Sequence, residues 1–117
     1  MEPGDTSERT LTQLRRGALP HCVLAVLAGA ERYGFDLVKV LSEEYGFTTS
    51  EGTIYPLLSR LRRDGLVETT WRESVSGPPR RYYRLTADGT LALQAFRDEW
   101  RSFRDAVDEL LDTGGRP

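Results

Sequence analysis

Eleven consecutive residues carry the densest chemistry in this chain: Ser76-Gly77-Pro78-Pro79-Arg80-Arg81-Tyr82-Tyr83-Arg84-Leu85-Thr86. Ser, Gly and two Pro bend a backbone, while Tyr82, Tyr83 and Leu85 favour a strand. Arg80 and Arg81 stand where the bend becomes the strand. Guanidinium groups are permanently charged planar forks that match phosphate oxygens. An apolar run over 66–71 lies just upstream, so both halves of a β-hairpin are present and its tip is stiff and basic.

A second set of candidate groups precedes the hairpin. At about 100° per residue, Ile54, Leu57, Leu58 and Leu61 share one helix face, which packs inward. Gly52, Pro56, Ser59 and Arg63 point the opposite way, flanked by Thr53, Tyr55 and Arg60. Small residues let a helix lie close to base edges in a major groove. Arginine pairs bidentately with guanine, and hydroxyls bond bases or phosphates. An ordinary solvent-facing helix would carry Glu and Lys there. Poor helix formers kept on an exposed face mark a contact surface.

These groups need elements to hold them. Residues 1–10 read as a disordered tail. The pattern over 11–29 is helical, with a break or kink near 17–20 because Pro20 is costly inside a helix. A second helix spans about 34–45, with Leu37, Val40 and Leu41 as its apolar face and Gly46 as a left-handed C-terminal cap. Ser50 caps the third helix, which runs to about Asp64 and ends at Gly65. Two helices joined by a short Gly-containing turn, then a basic hairpin, make a winged helix-turn-helix over 11–86. A last helix covers about 87–112 with Thr86 as its N-cap, its first turn liable to fray at Gly89. Residues 113–117 read as a second tail. The fold class is mainly α with a small β-hairpin.

Composition narrows the function. At 117 residues the chain is one small domain, only marginally stable alone. The net charge of −2 hides an uneven distribution: 50–85 carries seven arginines against four acids, while 86–117 carries four arginines against seven acids. A local basic surplus is what a phosphate footprint requires. No apolar run approaches the ~18 residues of a membrane span. The polar, acidic start lacks the pattern of a secretion signal. The single Cys22 cannot form an internal disulfide, which fits a cytoplasmic protein. Cys22 reads as a core thiol. His21, the one histidine, has no neighbouring acid or thiol for a relay. No metal-ligand spacing and no phosphate-binding glycine loop is present, so neither an enzyme nor a metal or other cofactor is expected.

The last helix carries its own pattern. Leu93, Phe96, Trp100, Phe103, Val107 and Leu110 are spaced 3, 4, 3, 4, 3, an a/d heptad seam about 26 Å long at ~1.5 Å per residue. The early part, around Leu93, can pack on the chain's own core. A three-helix core is too small to cover the rest, so a two-fold partner is expected. Trp100 sits mid-seam, between Phe96 and Phe103. Two indoles across a dyad either fill the interface or sandwich a flat aromatic ligand.

Taken together, Tyr33-Gly34-Phe35-Asp36-Leu37, Ser50-Glu51-Gly52-Thr53-Ile54-Tyr55-Pro56-Leu57-Leu58, Arg60-Leu61-Arg62-Arg63-Asp64-Gly65-Leu66 and the stretch 77–86 resemble the PadR family of bacterial transcriptional repressors. The resemblance covers roughly 11–111 and looks like the short-tailed subfamily. It implies a homodimer whose third helix and wing bind an inverted-repeat operator in double-stranded DNA, relieved in some members by aromatic drugs held between paired tryptophans. Carried onto this chain, the DNA-binding set is Tyr33, Ser50, Gly52, Thr53, Tyr55, Pro56, Ser59, Arg60, Arg63, Ser76, Gly77, Arg80 and Arg81. The dimer set is Leu14, Leu93, Phe96, Trp100, Phe103, Val107 and Leu110. Trp100, Phe96 and Phe103 would bind the ligand. Pro20 departs from the family's uninterrupted first helix. The residues themselves leave a second reading open, a winged-helix module that docks proteins without touching an operator.

Overall fold

The structure, a computed structural model, describes residues 3–114. Helix α1 (Pro3–Gly29) leads into a two-residue strand β1 (Arg32–Tyr33) and a short helix α2 (Gly34–Lys39). The chain then widens into a π-helical turn over Val40–Glu44. Helix α3 (Glu51–Arg63), strands β2 (Val67–Arg72) and β3 (Arg80–Leu85), and helix α4 (Ala87–Thr113) follow. The strands make one antiparallel sheet in the order β1-β3-β2. This is the winged helix-turn-helix with a long C-terminal helix that the sequence implies.

The core sits where the four helices meet the sheet. Val23, Leu24 and Leu27 of α1 pack with Leu37 and Leu41, with Ile54, Leu57, Leu58 and Leu61 of α3, and with Val67, Tyr83 and Leu93. The four α3 residues are the inward face expected from periodicity. Gly46 has φ +69, as a left-handed cap requires. Its turn is tied back to the preceding helix: the Phe47 N–H donates to the Leu41 carbonyl at 2.8 Å, and the Ser42 hydroxyl donates to the Phe47 carbonyl at 3.0 Å.

Several expectations need correction. Helix α1 already begins at Pro3, so a disordered tail over 1–10 does not hold from residue 3 onward. Helix α1 also runs unbroken through Pro20. Its neighbours anchor both sides of the proline: Leu19 packs on the core and His21 stacks on Phe96. Tertiary contact outweighs the local penalty, which is about 3 kcal/mol. The second helix is not regular to residue 45, since it widens after Lys39. Ser50 stands at the N-cap of α3 in extended backbone, but its side chain makes no capping bond. Its hydroxyl instead lies 3.5 Å from that of Thr53. Strand β1 is too short for any periodicity to reveal. Residues 115–117, most of the expected second tail, lie outside the described residues, and Thr113 belongs to α4.

Thr86 knots three elements together. Its hydroxyl accepts from the Gly89 N–H at 3.0 Å, capping α4 as expected, and donates to the Gly65 carbonyl at 2.6 Å. Its own N–H bonds the Leu66 carbonyl at 3.1 Å. The start of α4 is therefore pressed onto the end of α3 and does not fray. Gly89 permits this approach, because a Cβ there would lie 2.0 Å from the Leu66 carbonyl oxygen.

The radius of gyration is 17.0 Å, against about 13 Å for a compact chain of this length. The excess comes from α1 and α4, whose outer halves extend past the core.

Two effects oppose each other at Gly89. Helix propensity alone makes Gly89→Ala stabilising by up to about 1 kcal/mol. The collision is with backbone, which cannot rotate aside, and overpacking costs about 1–3 kcal/mol or more. Gly89→Ala is expected to lower the unfolding free energy in urea by about 2 kcal/mol. A more stable variant would show that α4 is not held against Leu66.

Candidate nucleic-acid interface

Helix α3 buries Ile54, Leu57, Leu58 and Leu61 and exposes the opposite side. Gly52, Thr53, Pro56, Ser59, Arg60 and Arg63 are all exposed, as expected. Among the described residues, Arg60 and Arg63 have no ion-pair partner, so both guanidinium forks are free.

Tyr55 is placed differently from the rest. Its ring rests on Gly34, where a Cβ would lie 2.5 Å from ring carbons. Burial, then the nearby Glu51 carboxylate and the Tyr83 and Tyr33 hydroxyls, pushes its phenol above the ordinary range. The phenol stays protonated and can still donate, and with Tyr55 41% exposed the ring both spaces α3 from α2 and belongs to the outward face. Gly34 is buried because Tyr55 covers it.

The residue before Gly34 belongs to the sheet. Tyr33 pairs with Tyr82 in the β1–β3 register, with ring centres 5.4 Å apart. The Arg80 guanidinium lies 4.6 Å from the Tyr33 ring centre. Arg72 lies 4.7 Å from that of Tyr82, and Arg81 lies 4.9 Å from that of Trp71. Three of the four wing arginines thus stack on an aromatic ring, a contact worth about 0.5–1 kcal/mol at an exposed site. Arg80 is exposed, whereas Arg81 is half-buried and its Nε is buried without a hydrogen-bond partner.

The sheet also separates Arg80 from Arg81. Successive strand residues face opposite sides. Arg80 shares a face with Arg72, Tyr82 and Arg84, whereas Arg81 shares the other with Trp71 and Tyr83, following the pairs Trp71↔Arg81 and Arg72↔Arg80. Two arginines directly opposed would repel. Glu31 pairs with Arg72 and relieves this. Glu68 and Arg84, also directly opposed, pair at 2.7 Å. Ser76 and Gly77 lie in the exposed loop between β2 and β3.

A separate surface lies between α1 and α4. Leu93 is buried in the chain's own core, and Phe96 stacks on His21 with ring centres 4.2 Å apart. Burial pushes the His21 imidazole below its ordinary value, so it is neutral at pH 7. Beyond Phe96 the seam opens to solvent: Trp100 is 44%, Phe103 61% and Leu110 67% exposed. Leu14, Phe96, Trp100, Phe103 and Val107 line an apolar groove of about 590 Å³. The aromatic rings form a ladder, with Trp100 6.3 Å from Phe96 and 6.4 Å from Phe103. Burial raises the Cys22 thiol, which keeps it protonated and unreactive. Among the described residues no group of three or more His, Cys, Asp or Glu could hold a metal, and no helix is long and apolar enough to cross a membrane.

The profile of the transcriptional regulator PadR-like family matches residues 23–95, from the α1 core residues through α3 and the wing into α4. The chain belongs to this family. Its members are transcriptional regulators, not enzymes. A PadR family transcriptional regulator from Eggerthella lenta is 36% identical, with TM-score 0.86 over 94% of this chain and 96% of its own. Transcriptional regulator Rv3488 of Mycobacterium tuberculosis is 36% identical over 86% of this chain and 90% of its own. Bacillus subtilis PadR, solved in complex with operator DNA, has TM-score 0.64 and 25% identity, covering 68% of this chain and 45% of its own.

Sequence reasoning located the wing arginines but missed their aromatic seats. The hairpin register would have found one of them, because the hairpin's loop length places Trp71 opposite Arg81. The Tyr33 seat depends on β1, which left no signal.

The Tyr55–Gly34 contact has a measurable signature. Gly34→Ala is expected to destabilise the fold by about 1–3 kcal/mol by displacing the ring. In a Tyr55→Ala background the same substitution is expected to be close to neutral, a positive coupling in a double-mutant cycle. Equal costs in both backgrounds would mean that the ring does not rest there.

Proposed function

We propose that the protein is a homodimeric, sequence-specific DNA-binding repressor acting in the cytoplasm. One observation carries this reading: α3 exposes small residues, hydroxyls and two unpaired arginines beside a wing that carries arginines stacked on aromatic rings. A face built to dock another protein would be more apolar. The operator complex of the similar Bacillus subtilis PadR supports the same reading. Arg60 and Arg63 would read base edges from the major groove, with Thr53 and Ser59 alongside. Arg80 and Arg81, on opposite faces of the wing, would hold phosphates or enter the minor groove. Tyr55 and Tyr33 would chiefly set the angle between helix and wing. In a two-fold dimer the reading helices would meet half-sites about 34–36 Å apart.

The exposed α4 seam supports dimerisation. Large apolar residues spaced as a heptad seldom stay in water, and the elongated shape gives a second copy room to cover them. The aromatic groove supports a planar aromatic effector held at Trp100, Phe96 and Phe103. Such a ligand would relieve repression only by binding the DNA-incompetent arrangement more tightly.

Binding to the duplex upstream of the protein's own gene, followed by fluorescence anisotropy, tests the DNA reading. Affinity is expected to fall linearly on a log–log plot as salt rises. Arg63→Ala should cost about 1–3 kcal/mol and relax base preference, while the Arg80→Ala/Arg81→Ala pair should weaken all duplexes alike and flatten the slope. A salt-independent interaction, or none with duplex DNA, would favour the protein-docking alternative.

Sedimentation tests the α4 surface. The unmodified protein is expected to be a dimer at micromolar concentration, and Phe103→Asp a monomer or unfolded, because an unpaired buried charge is costly. A folded wild-type monomer would contradict this. Planar dyes should quench Trp100 fluorescence and release the duplex, and Trp100→Ala should abolish both effects. Persistence of both in the variant would remove Trp100 from the ligand site.

A further inference from the structure

A hollow of about 270 Å³ lies where α1 passes the start of α3. Thr12, Arg15 and Arg16 of α1 line one side, and Thr48, Thr49 and Thr53 line the other. Among the described residues no acidic residue lines it. Among the described residues neither arginine has an ion-pair partner. The Thr49 hydroxyl oxygen is buried without a hydrogen-bond partner. The floor is Phe47, whose ring lies 5.9 Å from the Arg15 guanidinium and whose backbone is tied to Leu41 and Ser42. Two free cations, several hydroxyls and a rigid apolar floor suit one oxyanion with several oxygens to satisfy.

Its position suggests the source of that anion. Thr53 belongs both to this hollow and to the flank of the exposed α3 face. On the helix wheel Thr53 and Tyr55 stand about 200° apart, so the hollow borders the flank of α3 opposite the one that Tyr55 turns toward Gly34 and the wing. A helix in a major groove has a phosphate backbone on each side.

We propose that Arg15 and Arg16, with Thr48 and Thr49, form a seat for a DNA backbone phosphate on the strand opposite the one held by the wing. Helix α1 thereby joins the DNA-binding surface, although its own half of the chain carries a net negative charge. This rests on the DNA reading above. The seat recognises backbone and not base, so it fixes the register of α3 without adding sequence preference.

The test compares wild type, Arg15→Gln/Arg16→Gln, the charge-preserving Arg15→Lys/Arg16→Lys, and Arg97→Gln/Arg101→Gln as a charge-matched change on α4. Each is titrated with the upstream duplex and with a mixed-sequence duplex across a salt series, after circular dichroism confirms folding. The Gln pair is expected to flatten the log–log salt slope by about 2 on both duplexes, with their affinity ratio unchanged. The Lys pair should keep the wild-type slope, as should the α4 pair. If wild type binds no duplex, the DNA reading itself fails. If wild type binds and the Gln pair keeps its slope, the seat is overturned while the DNA reading stands. An equal loss in the α4 pair would make the effect one of net charge and overturn the seat as well. Should the Gln pair fail to fold, ethylation interference on wild type and the Lys pair decides. A blocked phosphate flanking each half-site, on the strand opposite the wing, supports the seat, and its absence overturns it.

Discussion

The geometry of the molecule turns on one contact, the ring of Tyr55 against the bare α-carbon of Gly34. It sets how closely α3 approaches α2. The residue before Gly34, Tyr33, is already committed to the sheet through Tyr82 and carries Arg80 on its ring. Two adjacent residues therefore hold the exposed helix on one side and the wing on the other. Helix and wing become a single rigid surface, and rigidity reduces the entropy lost when such a surface binds. The stacked arginines extend the same economy to the side chains, since each would otherwise order its long stem on contact.

A second joint, at Thr86, fastens α4 to the other end of α3. One helix thus connects the winged domain to the apolar seam. Helix α1 touches both surfaces as well: Leu14 lines the aromatic groove, and the next residue, Arg15, lines the basic hollow. A single turn of α1 borders the two regions where binding is proposed, so a change of packing in the groove bears directly on the hollow.

Much of this could be read from residue types and spacing. The inward face of α3, the hairpin, the Thr86 cap and the last helix all follow from local rules, because each is built by neighbours in sequence. The family motifs pointed to the regulator class that the wider comparison supports. What escaped were features that distant residues impose. Pro20 stays helical because Leu19 and His21 find partners elsewhere in the fold. Gly89 looks like a weak start to a helix until Leu66 is seen against it. Tyr55 reads as outward on a helical wheel and is exposed, but the wheel does not show that its ring also packs on Gly34. Arg80 and Arg81 read as one basic pair, yet strand geometry sends them to opposite faces. The charge count by segment hid Arg15 and Arg16, because Glu31, Asp36, Glu43 and Glu44, which make the first 49 residues net negative, lie beyond α1.

The central claim is that α3 and the wing act together as one DNA-binding surface while the α4 seam stays apart from it. Amide chemical shifts of the labelled protein, followed as unlabelled duplex from upstream of its own gene is added, test this most directly. The account predicts perturbations that grow together at Gly52, Thr53, Ser59, Arg63, Arg80 and Arg81, with Phe103 and Leu110 unmoved. Shifts confined to α4, or wing and α3 responding at different duplex concentrations, would contradict it.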